Sequence, residues 1–335
     1  MVEGWDADLR GAGAHLSPAG PGRVHVIFNP ASGHGRGAGR IPTYLALLKR
    51  HLQDFDHSIT TSGGDEGRLA RAALEAGAET LVAVGGDGTW SQVADQVISW
   101  PGAARLAVLP SGTGNDFGRN LGISYADPED AVRTLAAGRT RRVDIGRVVS
   151  PSAADGQRQT PSAYRPRHFL NLVGFGFDIA VIEAAAGARF LKGALLYKVT
   201  ALLQLFRFPG ISGTVTSPTH GTRAGRHLMV TISNGRYFGG GFPIAPDATI
   251  EDGLLHACLI RDAGPLRRAA LFNRAERGRH VGAPEVEILS DRRFSVRFPE
   301  KGDVPRFEID GDVFVSASHV VDLELLPKTL ELVAD

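Results

Sequence analysis

One stretch constrains the fold more than any other. The apolar run Leu81–Val84 leads directly into Gly85-Gly86-Asp87-Gly88-Thr89. Glycines without a Cβ let the main chain approach an anion closely, and the amides that open the next helix point toward that anion. Asp87 alone would repel phosphate, but a carboxylate among such amides makes sense where a hard cation such as Mg²⁺ lies between the two. The stretch therefore predicts a nucleotide and metal site at the end of a strand.

Two further turns of the same kind follow strand-like runs. Phe28–Gly33 comes after the run that begins at Val24, and Leu109–Phe117 comes after the run that begins at Leu106. A helical pattern follows each turn, so all three are expected at the carboxyl edge of one parallel sheet, where open α/β sheets bind ligands. The chain contains neither GxGxxG nor GxxxxGK followed by Ser or Thr, which excludes the common dinucleotide and P-loop fingerprints.

Composition narrows the class of protein. With 335 residues and 43% hydrophobic content, the chain can bury a sizeable core and is longer than a usual single domain. The 37 basic and 36 acidic residues leave a net charge of +1, which gives no reason to expect nucleic acid as a partner. Cys258 is the only cysteine, so no intramolecular disulfide can form and the cytoplasm is the expected compartment.

The order of the patterns predicts a tail and two domains. Residues 1–22 lack an apolar core and are expected to form a disordered tail rather than a signal peptide. From 23 to 140, strands alternate with helices, as a doubly wound α/β domain requires. Beyond 140, short strands with period-two alternation predict antiparallel β structure.

Helices are expected to interrupt the β-rich half at 178–188 and 190–206. The second of these is apolar on more than one face, which leaves burial in the core and a role in a lipid-chain pocket as equal alternatives. A strand is expected at 168–173, after an inserted loop at 150–166 that is rich in Pro, Ser and Gln.

Taken in order, the turns resemble the motifs of the diacylglycerol kinase catalytic family, which includes sphingosine kinases and, more distantly, NAD kinases. The matching segments are Asn29-Pro30-x-Ser32-Gly33, Gly85–Thr89, Pro110–Phe117, Asn171–Asp178 and Asp247–Gly253. The resemblance implies a nucleotide-binding α/β domain at 23–140, an antiparallel β-sandwich with inserted helices at 141–320, and ATP in the cleft between them. Residues 321–335 are expected to return to the N-terminal domain.

The resemblance also implies roles for individual residues. Those that would contact the nucleotide are Asn29, Ser32, Gly33, Thr60, Gly85, Gly86, Asp87, Gly88, Thr89, Thr113 and Asn115. Asp87, Asp116 and Asp144 would form an acidic network around the catalytic Mg²⁺. For Asp144, a salt bridge to Arg141 or Arg142 is the competing interpretation.

The same resemblance implies functions for two segments that contain an Asp-Gly pair, Asp310-Gly311 and Asp252-Gly253. Asp310 is expected to be the general base, with Asp312 as the second candidate because it stands where the family has Glu. Thr249, Asp252 and Leu254 resemble a loop that holds a structural cation. Without the resemblance, both Asp-Gly pairs would be interpreted as simple turns.

The resemblance implies an ATP- and Mg²⁺-dependent lipid kinase that phosphorylates a hydroxyl of diacylglycerol or a related lipid. An NAD kinase, a sphingoid-base kinase and a catalytically idle nucleotide-binding module are the alternatives. The protein is expected in the cytoplasm, where it would bind its lipid at the inner face of the membrane as a peripheral protein. No nucleic acid is expected as a partner. A homodimer is left open.

Overall fold

The computed structural model describes residues 20–33, 35–52, 54–112, 115–123, 126–154, 156, 163–187 and 203–334. The tail predicted at 1–22 therefore falls almost wholly outside the described residues. So do Thr113, residues 155 and 157–162 of the loop predicted at 150–166, and most of the helix predicted at 190–206.

The N-terminal half is a parallel sheet with helices between its strands. Its elements are β1 Val24–Phe28, α1 Gly37–His51, β2 Asp56–Ile59, α2 Asp65–Glu75, β3 Thr80–Gly85, α3 Asp87–Ser99, β4 Arg105–Pro110, α4 Asp116–Asn120 and α5 Pro128–Ala137. The strands pair in the order β2-β1-β3-β4, all parallel. The chain reverses its direction of winding between β1 and β3, and a crevice at such a switch point is where ligands bind in sheets of this kind.

Alternating side chains along the strands fill two separate cores. On one face, Phe28 and Val84 pack with Tyr44 and Leu48 of α1. On the other face, Ala83 belongs to the cluster that includes residues of α2 and α3. Helices thus cover both faces of the sheet, which confirms the α/β class predicted for this half and explains why β3 is buried along its whole length.

The C-terminal half is rich in antiparallel strands. Its elements are β5 Thr140–Ala154, β6 Arg165–Phe169, β7 Leu172–Gly176, α6 Phe177–Gly187, β8 Ile211–Ser217, β9 Gly221–Ser233, β10 Tyr237–Phe238, β11 Phe242–Pro243, β12 Leu255–Arg261, α7 Pro265–Ala275, β13 Val286–Asp291, β14 Arg293–Arg297, β15 Arg306–Ile309, β16 Asp312–Ser316 and β17 Val320–Val333. Pairing runs β17-β14-β8-β9-β7-β15-β16-β5 and returns to β17, so these strands close into a barrel-like ring. The sandwich expected from the sequence stays a prediction.

The last strand joins the two halves. β17 lies antiparallel to β5 along most of its length and, through Leu332, pairs in parallel with Leu106 of β4. The 15 strands on this path and its branches therefore form one continuous sheet. A continuous sheet fixes the carboxyl edge of the parallel strands relative to the β-rich half.

The strand predicted at 168–173 is divided by a turn at residues 170–171 into β6 and β7. The cause is distant in sequence: the Asp310 carboxylate accepts hydrogen bonds from the amides of Leu170, Asn171 and Leu172 at 2.8, 2.9 and 3.1 Å. Amides that donate to a side chain cannot also pair with a neighbouring strand. The β propensity of this segment is therefore overridden at the turn. Among the described helices, none has the length and apolarity needed to cross a bilayer.

Candidate active site

The three glycine-rich turns meet at the carboxyl edge of the parallel sheet. Ser32, after β1, places its Oγ 2.7 Å from the Oγ of Ser111, after β4. The amides of Ser111 and Gly112 donate to the Gly85 carbonyl at 2.8 and 3.0 Å. The sequence prediction that these turns share one edge is therefore correct in the structure.

Glycine is required where the turns touch. A Cβ on Gly112 would lie 2.8 Å from the Cα of Gly86, and one on Gly33 would lie 3.0 Å from the Ser111 carbonyl oxygen. Gly33 also has a φ of +59°, a region that side chains with a Cβ seldom occupy. Such close contact leaves no room for side chains between the turns, so a phosphate chain could approach the backbone closely.

Asn29 ties the first turn to the start of α3. Its Nδ2 donates to Thr89 Oγ1 at 2.9 Å and to Glu66 Oε1 at 2.8 Å. Thr60, after β2, lies beside this turn because its amide donates to the Phe28 carbonyl. Glu66 was not expected here; its position in the first turn of α2 offered no sequence signal.

Asp87 and Asp116 form an acidic pair at the centre of the crevice. The Asp87 carboxylate accepts from the amides of Asp116 and Phe117 at 2.8 and 3.0 Å, which are the first amides of α4. Burial, reinforced by the neighbouring Asp116 charge, raises the pKa of Asp87 to about 7. Burial raises the pKa of Asp116 to about 6.

The acidic pair fits a divalent cation. Asp116 Oδ1 is buried without a hydrogen-bond partner among the described residues, and the nearest cationic atom is Arg119 Nε at 3.6 Å. Asn115 Oδ1, beside Gly112, is likewise buried and unpartnered. Oxygen atoms of this kind are the ligands that Mg²⁺ prefers.

The partners of the Asp144 carboxylate among the described residues are backbone amides. It accepts from the amides of Gly253 and Lys328, each at 2.7 Å, and so ties the turn before β12 to β17. A salt bridge from Asp144 to Arg141 or Arg142 is not formed. Arg141 instead lies 3.1 Å from Glu251, and Arg142 lies 3.7 Å from Glu331. The structure thus gives Asp144 backbone partners that are far from it in sequence, and its place in an acidic network around Mg²⁺ stays a prediction.

Asp252 likewise closes its own loop. Its carboxylate accepts from the amides of Thr249 and Leu254, each at 2.9 Å, and lies 3.0 Å from Nε2 of His256. Burial raises the pKa of Asp252, but the hydrogen bonds from His256 and the two amides outweigh it and hold the pKa below its usual value. The Asp252 carboxylate is thus satisfied within its own loop, and the structural cation at Thr249, Asp252 and Leu254 stays a prediction.

Asp310 and Asp312 occupy different environments at the edge that faces the crevice. Asp310 is buried with a left-handed φ of +48°, and three backbone amides bind its carboxylate. Asp312 is exposed to the cleft, and a Cβ on Gly88 would lie 3.5 Å from its Oδ2. Partial desolvation raises the pKa of Asp312 above its ordinary value. Asp312 therefore faces the phosphate-binding turn, whereas Asp310 shapes the backbone around it.

Two further carboxyl groups lie beside this edge. Asp178, the second residue of α6, and Glu308, in β15, are both buried. Both belong to segments that resemble the family's motifs, but neither was predicted as a site residue, because nothing in their local sequence distinguishes them from surface acids.

An apolar pocket begins where Asp178 lies. Its lining includes Phe177, Asp178, Phe238, Phe242, Leu271 and Phe272, and it contains about 590 Å³ of empty space, part of it open to solvent. Gly239 also lines it, and the next amide, of Gly240, donates to Asp116 Oδ2 at 2.8 Å. The pocket therefore adjoins the acidic pair.

Gly112→Ala tests whether the turns must touch. The added Cβ would force the backbone of Gly86 away, and losing one amide–phosphate hydrogen bond, about 1.5–3 kcal/mol, lowers ATP affinity by about 10-fold or more. Equilibrium binding of ATP measures this. Gly39→Ala is the control, since a Cβ there meets nothing within 4 Å. Equal ATP affinity in both variants would contradict the geometry of the site.

Two family profiles match the chain. Residues 23–148 match the family described as Diacylglycerol kinase catalytic domain, and residues 171–334 match the YegS C-terminal NAD kinase beta sandwich-like domain. Together they span most of the sequence, with the division near the start of the β-rich half.

Curated relatives cover nearly the same length. A probable lipid kinase YegS-like from Serratia proteamaculans (strain 568) is 29% identical over 307 residues, which are 89% of this chain and 91% of the relative. A diacylglycerol kinase from Mycobacterium tuberculosis (strain ATCC 25618 / H37Rv) is 27% identical over 278 residues, 83% and 86% of the two chains. A probable lipid kinase YegS-like from Pseudomonas aeruginosa (strain UCBPP-PA14) is 32% identical over 231 residues, 68% and 70% of the two chains.

A solved structure shares the fold. It is described as a diacylglycerol kinase from Bacillus anthracis str. Sterne, with a TM-score of 0.65 and 17% identity over 95% of this chain and 98% of that one. At 17% identity, this similarity shows only that the two proteins share a fold. Family profiles and relatives over this length show that the chain belongs to the diacylglycerol kinase catalytic family, among its YegS-like lipid kinases.

Proposed function

We propose that this chain is a lipid kinase that transfers the γ-phosphoryl group of ATP to a hydroxyl of diacylglycerol or a related lipid. One observation carries the proposal: the three glycine-rich turns meet at Gly86 and Gly112, directly beside the buried pair Asp87 and Asp116. The names of the relatives support a lipid as the acceptor.

The turns would hold the triphosphate, and the acidic pair would hold Mg²⁺. The backbone of the turns after β1, β3 and β4 would approach the phosphates, while Asp116, through its unpartnered Oδ1, and the adjoining Asp87 would bind the cation that offsets their charge. When bound, Mg²⁺ neutralises charge that develops on the transferred group. The chain's own contribution is to hold these groups rigidly, since Asp87 is already fixed by two amides of α4.

Asp312 is the better candidate for the general base, in place of Asp310. A base must reach the acceptor hydroxyl in the cleft, and Asp312 is the carboxylate that is exposed beside Gly88. Both oxygens of Asp310 are already used by backbone amides. Asp310 is assigned to holding the turn between β6 and β7.

The apolar pocket is the proposed site of the lipid chain. Its polar end lies at Asp178, and Gly239 connects its wall to the amide that binds Asp116. A chain seated there would bring its head group to the cleft between the two halves. The sequence expectation that residues 190–206 shape this pocket lies mostly outside the described residues.

We expect the lipid to be met at the inner face of a membrane. Leu203, Phe206 and Leu266 are 53%, 54% and 83% exposed, which is unusual for large apolar side chains. Arg268 of α7 donates to the carbonyls of Leu205 and Phe208, so the two segments lie together. Residues 265–281 contain five arginines, of which Arg267 and Arg268 are paired with Glu285 and Asp262; the other three could meet anionic head groups. The homodimer and the absence of nucleic acid stay predictions.

Asp87→Asn should abolish transfer while leaving the protein folded. Removing one electrostatic element of a transfer site costs about 100-fold or more in rate. Radiolabelled ATP with diacylglycerol, a sphingoid base and NAD as separate acceptors measures the rate and separates a lipid kinase from an NAD kinase. Asp127→Asn is the control, because Asp127 caps α5 away from the crevice. Normal transfer by Asp87→Asn would reject the site, whereas ATP binding by the wild type without transfer to any acceptor would indicate an idle module.

Asp312→Asn should slow transfer by about 100- to 10,000-fold without changing ATP affinity, since general base catalysis contributes about that factor. Asp310→Asn should instead lower the thermal unfolding temperature, because an amide group cannot accept from all three backbone amides. Rate, ATP affinity and unfolding temperature are measured for both variants. A slow but fully stable Asp310→Asn beside an active Asp312→Asn would return the base to Asp310.

A further inference from the structure

We propose that Arg167 is a positioning residue for the transfer reaction: its guanidinium stands beside Asp312 and keeps that carboxylate in the charged form that accepts a proton. The inference rests on the proposed function, in which Asp312 is the general base. It goes beyond that function by naming the group that keeps the base active. No role was predicted for Arg167 from the sequence.

An aromatic ring and two carbonyls hold the half-buried side chain of Arg167. Its Cζ lies over the Phe314 ring, 4.6 Å from the ring centre. Its Nε and Nη2 donate to the carbonyls of Ser152 and Ala163 at 3.3 and 3.4 Å. These partners among the described residues are uncharged, so they fix the guanidinium without neutralising its charge.

Phe314 brings this charge to the side of the base. Asp312 and Phe314 stand two residues apart in β16, so their side chains lie on the same face of the sheet. A guanidinium over the Phe314 ring is therefore on the face that carries the Asp312 carboxylate.

The strand that carries Arg167 is anchored to the helix that begins at Asp87. Asp95 of α3 lies 3.0 Å from Arg165 Nη2 and 2.9 Å from His168 Nδ1, both of β6. These contacts from either side of Arg167 fix its backbone relative to α3. They also occupy both oxygens of Asp95, the acid of α3 that lies next to β6.

Burial disfavours the charged form of both groups. Burial raises the pKa of Asp312, while the hydrogen bond from Gln92 and the charge of Arg167 act to lower it. Burial and the charge of Arg165 lower the pKa of Arg167 to about 10, with Asp95 and Asp312 acting against them, so the guanidinium stays charged at neutral pH. A protonated base cannot accept the hydroxyl proton, so the charge of Arg167 favours the active form of Asp312.

The other groups around Asp312 do not supply this charge. From α3, the neutral Gln92 reaches it through Nε2 at 3.5 Å. From α2, the acid Glu66 lies within electrostatic reach, since burial together with the Asp312 charge raises the pKa of Glu66. A triphosphate bound at Gly88, which adjoins Asp312, would add more negative charge. Of the described groups that act on Asp312, Arg167 is the one that opposes its protonation.

Arg167→Met keeps an unbranched side chain but removes the charge. Without that charge the base holds its proton up to a higher pH, so the acid limb of the pH profile of acceptor kcat/KM should move upward by about 0.5–1 unit. Below the limb the variant should be about 3- to 10-fold slower, and above it the rate should return to within about 2-fold of the wild type. The full-length protein is assayed with radiolabelled ATP, Mg²⁺ and 1,2-diacylglycerol or 1-monoacylglycerol in detergent micelles, because neither acceptor titrates in this range.

Three further variants separate the effect of charge from that of structure. Arg167→Lys keeps a positive charge and should leave the limb nearer to the wild-type position than Arg167→Met does. Arg147→Met is the control, since Arg147 of β5 is bound to Glu324, and its limb should not move. In the Asp312→Asn background, Arg167→Met should cause little additional loss of rate, because its effect passes through the base. Arg167→Gln replaces Arg167→Met if thermal unfolding shows that the latter is not folded.

The outcomes separate the inference from the function on which it rests. An equal loss of rate at every pH, a raised ATP KM with the limb in place, or a full additional loss in the Asp312→Asn background would each overturn the role of Arg167 and leave the lipid kinase in place. Transfer to no lipid by the wild type would overturn both.

Discussion

The site depends on one kind of interaction: a buried carboxylate that accepts hydrogen bonds from backbone amides of a segment distant in sequence. Asp87 holds the start of α4, Asp310 holds the turn between β6 and β7, and Asp144 ties the turn before β12 to β17. Charge-assisted bonds of this kind are stronger than neutral ones and specify a single geometry. They also bring negative charge into a low-dielectric interior, which raises the pKa of Asp87, Asp116 and Asp310. The crevice is thus rigid, and its negative charge is not fully compensated. The cation of a metal-bound nucleotide would compensate that charge.

The continuous sheet explains how two unlike halves hold one site. The parallel strands deliver three turns to a single edge because the winding reverses between β1 and β3. The barrel-like ring supplies Asp310, Asp312, Asp178 and Glu308 from its own edges. β17 pairs with β4 on one side and β5 on the other, so the two edges cannot separate without breaking strand pairing. On this basis, the nucleotide side and the acceptor side are positioned by backbone structure rather than by side-chain contacts.

Local features of the sequence predicted the parallel half well. β1 was placed at Val24–Phe28 because it is apolar on both faces, and the three turns were found because close backbone contact demands glycine. Features set by tertiary partners were not predictable. The interruption of the strand at 170–171 is imposed by Asp310, 139 residues from Asn171. The partners of Asp144 and the stacking of Arg167 on Phe314 depend in the same way on strands that meet only in the fold. A family likeness points to whole segments, but it carries no information on which oxygen atoms are already bound, and that difference is what distinguishes Asp310 from Asp312 in the structure.

The central claim is that Mg²⁺ and the triphosphate occupy the crevice together, with the cation between the phosphates and the acidic pair. Calorimetric titration of ATP into the protein, with Mg²⁺ and then with EDTA, tests this most directly. Without a cation, two carboxylates repel a triphosphate, so ATP affinity should fall by about 10-fold or more in EDTA. Asp116→Asn should make ATP affinity less dependent on Mg²⁺. Equal ATP affinity with and without Mg²⁺ would contradict the account.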